Sequence, residues 1–171
     1  KSGFVLIDKE TYLPIEKGKI DNRELEQFML ETEYEHLVLE MVASYGMAVG
    51  KSVFDTCVAV GRYSMIKRHV PYSLVYRMQV KMHLVGKTAV KDAQITQLLV
   101  NRFLTNEEID RWGDYGKGTL KDKGMFHGFN NDIYQAYAVG VTWLDITNKG
   151  ELDFEEITDK NKKEKRKKKW S

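Results

Sequence analysis

The residues best suited to chemistry are two carboxylates more than 90 positions apart. Glu40 falls near the end of the apolar run Leu37-Val38-Leu39-Glu40-Met41, and Asp132 lies in GMFHGFNNDIYQAYAVGVT, five residues after His127. A carboxylate on a buried strand is costly unless a cation meets it. Two acids on the ends of regular elements suit a divalent cation that promotes phosphodiester hydrolysis. Hard ions such as Mg²⁺ prefer carboxylate oxygen and water, which leaves His127 as an optional ligand. Each acid also has a plain structural reading. Glu40 would be exposed by the loop that follows it, and Asp132 would improve the dipole energy of a helix start by about 0.3–1 kcal/mol.

Arg77, Lys81, His83, Lys87 and Lys91 form a basic series over 15 residues. Lys91, near the start of an amphipathic segment, would face a phosphate, although solvation is the ordinary fate of such a lysine. Phe54, Tyr45 and Met47 lie in or beside a Gly-rich loop and would wedge against bases, with Phe54 equally suited to a core. The chain has no HExxH and no GxSxG. Gly46–Ser52, GMAVGKS, ends like a nucleotide loop but is one residue short of GxxxxGKS.

The elements that must position these groups follow from periodicity and punctuation. Residues 3–7 and 11–20 read as a hairpin, with Pro14 at an edge or bulge. Residues 22–31 read as a short helix capped by Asp21 or Asn22. His36–Met41 reads as a buried parallel strand, 42–50 as a Gly-rich loop, and 51–66 as a helix. Strand character returns at Tyr72–Met78, with 80–85 as its extension. Thr88 is the expected cap of an amphipathic helix over 89–103. Residues 110–128, with five glycines and no periodicity, read as a mobile surface loop. Asn130 or Asn131 caps a final helix. The order implies a layered α/β fold with a mixed sheet.

Composition bounds the alternatives. A chain of 171 residues holds one domain with a full core. One cysteine, Cys57, excludes an intrachain disulfide and a cysteine zinc site, which fits a reducing compartment. No run reaches the ~20 apolar residues of a membrane helix. The net charge of +2 conceals an asymmetry: residues 160–169, KNKKEKRKKK, carry eight Lys/Arg and one Glu. The domain is expected over 1–155, with 156–171 a basic, disordered tail that attracts phosphate backbone or serves solubility or localisation. The chain opens on Lys1 and runs straight into GFVLI, as if it were a truncated or processed piece of a longer one.

Taken together, these segments resemble the RuvC-type Holliday-junction resolvases of the RNase H-like superfamily, especially small viral members. The resemblance runs from Ser2-Gly3-Phe4 to about Thr142. LVLEM is similar to the strand that carries the family's second carboxylate, which puts that role on Glu40. VKMHLVGKTAVKDAQITQL is similar to its lysine-bearing segment, which puts two basic catalytic roles on Lys81 and Lys91. NDIYQAYAVGVT is similar to its final helix, which puts the third carboxylate on Asp132. Gln135 stands where a fourth acid often lies, and His127 would substitute as a metal ligand. The family's first carboxylate sits on a central strand ahead of the Ser-Gly-aromatic turn, and that strand is absent here.

The resemblance implies an RNase H-like mixed β-sheet flanked by helices. It also implies a Mg²⁺-dependent (or Mn²⁺-dependent) endonuclease that resolves four-way DNA junctions as a homodimer, with loop 43–50 and helix 51–66 at the dimer contact. A cytoplasmic location would follow, in the host cell for a viral member. The alternatives are a broader branched-DNA nuclease, an RNA-cleaving relative, or a catalytically inactive DNA-binding protein. Without the first acid, the chain is expected to be inactive or poorly folded.

Overall fold

The computed structural model describes residues 1–43 and 48–150. Tyr45, Met47 and the basic tail lie outside the described residues, as does the expected boundary near residue 155.

Strand β1 (Ser2–Ile7) pairs antiparallel with β2 (Pro14–Ile20), with the register shifting between Leu6 and Ile7 where Pro14 enters. Helix α1 (Asn22–Glu31) follows at once. The Asp21 side chain accepts from the Arg23 N–H, and Glu24 reaches back to the Asp21 N–H, so both ends of a capping box are made. Strand β3 (Leu37–Met41) pairs in parallel with β4 (Tyr72–Tyr76) across helix α2 (Lys51–Ser64). The expected single mixed sheet is therefore two small sheets, because no described strand joins β1 to β3.

Side-chain alternation places both sheets between the same two layers. Val5, Ile7, Val38 and Val75 pack toward the core around α6 (Asn131–Asn148). Phe4, Leu37, Leu39 and Leu74 pack toward Leu25 and Met29 of α1 and Tyr63 of α2. Helix α6 packs on β1, β2 and β3. Its approach to β1 is close: a Cβ on Gly3 would stand 2.8 Å from the Asp132 carbonyl oxygen, and one on Gly140 would stand 2.4 Å from Ile7 Cδ1.

Three expectations fail. The segment 80–85 extends no strand but belongs to helix α3 (Arg77–Val85), which Gly86 ends at φ 75°. Its Val80 and His83 meet α6 at helical spacing, and that packing overrides an alternating pattern. Thr88 caps nothing. Helix α4 runs Asp92–Phe103, and Gln94 accepts from the N–H of Lys91, the residue at the cap position. Residues 110–128 are not the bare loop expected. They begin in helix α5 (Asn106–Trp112), capped by the Thr105–Glu108 pair, and continue into a segment anchored by the fully buried Phe126.

The far end of the fold is held by a buried charge. Asp145 of α6 is 6% exposed and accepts two bonds from Arg102 of α4 (2.6 and 2.7 Å), one from His83 Nε2 of α3 (2.8 Å) and one from the Tyr12 hydroxyl (3.1 Å). Tyr12 sits at φ 63°, a strained position for a residue with a side chain, and its carbonyl accepts from the Tyr137 hydroxyl at 2.7 Å. The hairpin turn is thereby pinned to three helices. Burial pushes the Asp145 carboxyl up, but the bonds from Arg102 and His83 outweigh it and hold it near 2. A lowered folded pKa contributes stability above the unfolded value of 3.8 that is lost as pH falls through about 2. That contribution should be about 2 kcal/mol. Chemical denaturation between pH 6 and 2 should show this loss, and Asp145→Asn should be markedly less stable at pH 6, by about 3 kcal/mol, with a flatter acid limb.

Candidate functional site

The direction of the elements decides which residues share an end of the molecule. Helix α6 runs with β1, since Asp132 lies on Gly3 and Gly140 lies on Ile7. It runs against β3. The His36 ring, just before β3, stacks on Trp143 near the end of α6 at 4.2 Å, and both rings bond the Ser73 hydroxyl at the start of β4. Moving back from Trp143 to Asp132 covers about 16 Å of helix, and moving on from His36 to Glu40 covers about 13 Å of strand. Glu40 and Asp132 therefore arrive at the same end of the layer. Glu40 also shares the strand face of Val38, the face toward α6.

Around Glu40 the structure gathers groups from three elements. Arg77, the first residue of α3, places Nη1 3.7 Å from the Glu40 carboxylate, and its Nη2 bonds the Asp92 carboxylate at the start of α4. Arg77 Nη1 is buried without a hydrogen bond. Burial raises the Glu40 pKa. Arg77 pulls against that rise, and the nearby Asp92 adds to it. Lys91 adjoins Asp92 and so comes to the same end, whereas Lys81 sits one helical turn beyond Arg77 on α3.

Asp132 occupies the first turn of α6, whose Asn130 cap accepts from the Ile133 N–H. Its carboxylate pairs with Lys19, the residue opposite Gly3 in the hairpin register. Both partners are 44% exposed, so the pair contributes less than about 1 kcal/mol and is easily exchanged. Gln135, one turn further, is 8% exposed and its Oε1 has no hydrogen-bond partner. His127 donates its Nδ1–H to the Lys117 carbonyl at 3.1 Å, which fixes the ring's orientation and leaves Nε2 as its available nitrogen.

Glu40, Asp132 and the orphaned Gln135 oxygen are hard oxygen donors, the kind a divalent cation such as Mg²⁺ takes. Among the described residues no three His, Cys, Asp or Glu side chains converge as a metal-holding group. The arrangement thus offers two acids, one amide oxygen and a cation-rich flank at one end of the layer. The sequence reading missed Asp92 and gave Arg77 no role of its own. The acid directly after Lys91 was the available signal, since an acid there starts a helix and faces whatever precedes it.

With this geometry in place, the chain can be set beside known structures. The RuvC structure from Thermus thermophilus matches it with a TM-score of 0.55 at 16% identity, covering 86% of this chain and 88% of that one. The fold is RuvC-like. No family model matches the chain, and no curated protein matches it by sequence. Among the described residues no helix of this RuvC-like fold is long and apolar enough to cross a membrane.

The opposing influences on Glu40 give a direct test. In carboxyl NMR titrations, Arg77→Gln should raise the Glu40 pKa further. Asp92→Asn should lower it, by removing a like charge and releasing Arg77 toward Glu40. Shifts in the reverse directions would refute the network.

Proposed function

We propose that the protein is a Mg²⁺-dependent endodeoxyribonuclease that resolves four-way DNA junctions. What supports this reading is that the element directions bring Glu40 and Asp132 to the same end of a RuvC-like layer, with Arg77 beside Glu40. Glu40, Asp132 and the Gln135 oxygen would hold the cation, which when bound supplies an activated water and neutralises charge at phosphorus. Arg77 offsets part of the rise that burial imposes on the Glu40 pKa. Lys91 steadies the scissile phosphate, and Lys81 supports the same strand from the next turn of α3. Lys19 holds Asp132 in place until the cation displaces it.

Two acids are fewer than such chemistry usually employs, and the resemblance places a further one on a strand beside β1. Among the described residues, β1 pairs only with β2 and β3 only with β4, which leaves each one edge without a strand. Strands of one layer that share no hydrogen bonds stand further apart than the ~4.8 Å of neighbours. An extended segment seated between them would bring its own carboxylate between Glu40 and Asp132.

The homodimer has its own support on α2. Phe54, Val58 and Met65 are 60%, 64% and 52% exposed, and a Cβ on Gly61 would meet nothing within 4 Å. Their spacing of four, three and four residues makes one apolar seam. The seam is self-complementary when two copies run antiparallel: Phe54 of one copy meets Met65 of the other, and Val58 meets Gly61. Asp55 and Arg62 flank the seam and are paired within the chain, with Lys51 and Glu26. A second reading is a junction-binding protein that does not cut, since among the described residues no three-acid group converges.

End-labelled four-way junction and linear duplex, incubated with Mg²⁺ or Mn²⁺, separate these readings. The test should use the chain alone and the chain carrying an apolar, acid-bearing strand ahead of Ser2. Symmetric cuts in the junction, reduced at least about 100-fold by Glu40→Gln, are expected. Metal-independent binding with no cutting by either form would leave the non-cutting reading. Val58→Asp should yield a folded monomer in sedimentation and weaken junction binding.

A further inference from the structure

The segment that the sequence marked as a mobile loop is rigid and presents one apolar side chain outward. Residues 117–124 form a tight reversal closed by a bridge between Gly118 and Lys123. The Thr119 N–H donates to the Asp122 carbonyl at 2.8 Å, and the Asp122 N–H donates to the Thr119 hydroxyl at 3.1 Å. Arg111 of α5 grips the Asp122 carboxylate with two bonds of 2.6 and 2.8 Å. Glycine is obligatory at the base of the reversal. Gly118 has φ 65°, and a Cβ there would stand 2.2 Å from the Asp122 carbonyl oxygen; one on Gly124 would stand 2.3 Å from the Gly116 carbonyl oxygen. Phe126, directly below, is fully buried.

At the tip of this braced turn Leu120 is 83% exposed, more than any other large exposed hydrophobic among the described residues. Lys117, Lys121 and Lys123 flank it in the chain, while Asp122 is taken up by Arg111 and Asp114 lies outside the turn. The base of the turn lies beside the start of α6. Lys117 Nζ lies 5.9 Å from the ring centre of Tyr134, two residues beyond Asp132. Leu120 is three residues from Lys117, a reach of at most ~11 Å.

We infer that Leu120 is a wedge: an apolar side chain on a rigid turn that enters the base stack of DNA at the branch point, while the three lysines hold the flanking phosphates. This rests on the junction-binding reading above and adds to it the group that opens the stack. Leucine is among the side chains that unstack a base step, and insertion is easiest where stacking is already interrupted. A solvated leucine would need no brace. Here an arginine clamp and two steric glycines fix the turn that carries it. An anionic lipid surface would also accept a leucine among lysines, but one leucine anchors weakly and the nearby carboxylates would be repelled.

The test uses the full chain without divalent metal and a four-way junction carrying 2-aminopurine at the branch. Binding should raise the fluorescence severalfold. Leu120→Ala should abolish that rise while lowering affinity by no more than about tenfold, and Leu120→Met should restore it. Replacing Lys117, Lys121 and Lys123 together by Ala should reduce the slope of log affinity against log salt by about 2.7. An unchanged rise with Leu120→Ala, alongside intact junction binding, overturns the wedge and leaves the nuclease reading standing. No junction binding by the wild type removes both. Leu120-dependent binding to phosphatidylserine vesicles in place of DNA would assign the tip to a membrane and overturn the inference.

Discussion

Two sheets of two strands each are held in one layer by a single helix, and everything at the candidate site follows from that constraint. A two-stranded sheet is marginal by itself. Here each is stabilised by covering both faces, with α6 on one side and α1 and α2 on the other. Because α6 runs with β1 and against β3, it fixes not only that the sheets are held together but which ends coincide. Gly3 makes this possible. Any side chain there would push β1 off the first turn of α6 and carry Asp132 away with it.

Two carboxylates in this protein illustrate opposite uses of burial. Asp145 is the more enclosed, yet its pKa falls because Arg102, His83 and Tyr12 all donate to it. Its charge is fully spoken for, and it serves as a structural knot. Glu40 keeps 40% of its side chain exposed, yet burial of its carboxylate raises its pKa, and Arg77, 3.7 Å away and shared with Asp92, offsets that rise only in part. An under-compensated acid on the rim of a layer remains able to take a further cation, whereas Asp145 has no lone pair to spare. The distinction separates a site from a clasp more clearly than burial does.

Much of this was legible in the sequence where local chemistry dominates. The hairpin, the capped α1, the parallel strand ending at Glu40 and the Asn130 cap of α6 all declare themselves through alternation or turn residues. Helix α3 did not, because VKMHLV alternates like a strand and only the partners of Val80 and His83 on α6 reveal its period. Helix α5 was announced by Thr105-Asn106-Glu107-Glu108, a capping-box pattern hidden by the charged, Gly-rich stretch after it. The Asp145 cluster joins residues 12, 83, 102 and 145, and no spacing rule connects them. For the candidate site, the elements carrying Glu40 and Asp132 could be read. Their arrival at one end, and the place of Arg77 and Asp92 beside Glu40, depend on helix directions that only the fold supplies.

The same contrast explains why a Gly-rich segment can be rigid. Glycine loosens an unfolded chain, but where its hydrogen faces a carbonyl at a distance no Cβ tolerates, it permits packing instead of motion. Gly118 and Gly124 are used in this way, while a Cβ on Gly116 would meet the Leu104 side chain at 2.2 Å and the buried Phe126 at 3.0 Å. Conformational entropy is thereby settled on folding and is not charged again on binding. A junction-binding surface of the kind proposed would gain from such preorganisation, since the lysines of the turn are spaced by a braced backbone. The base of this turn lies beside the start of α6, so in that reading recognition and the candidate chemistry would share one end of the fold.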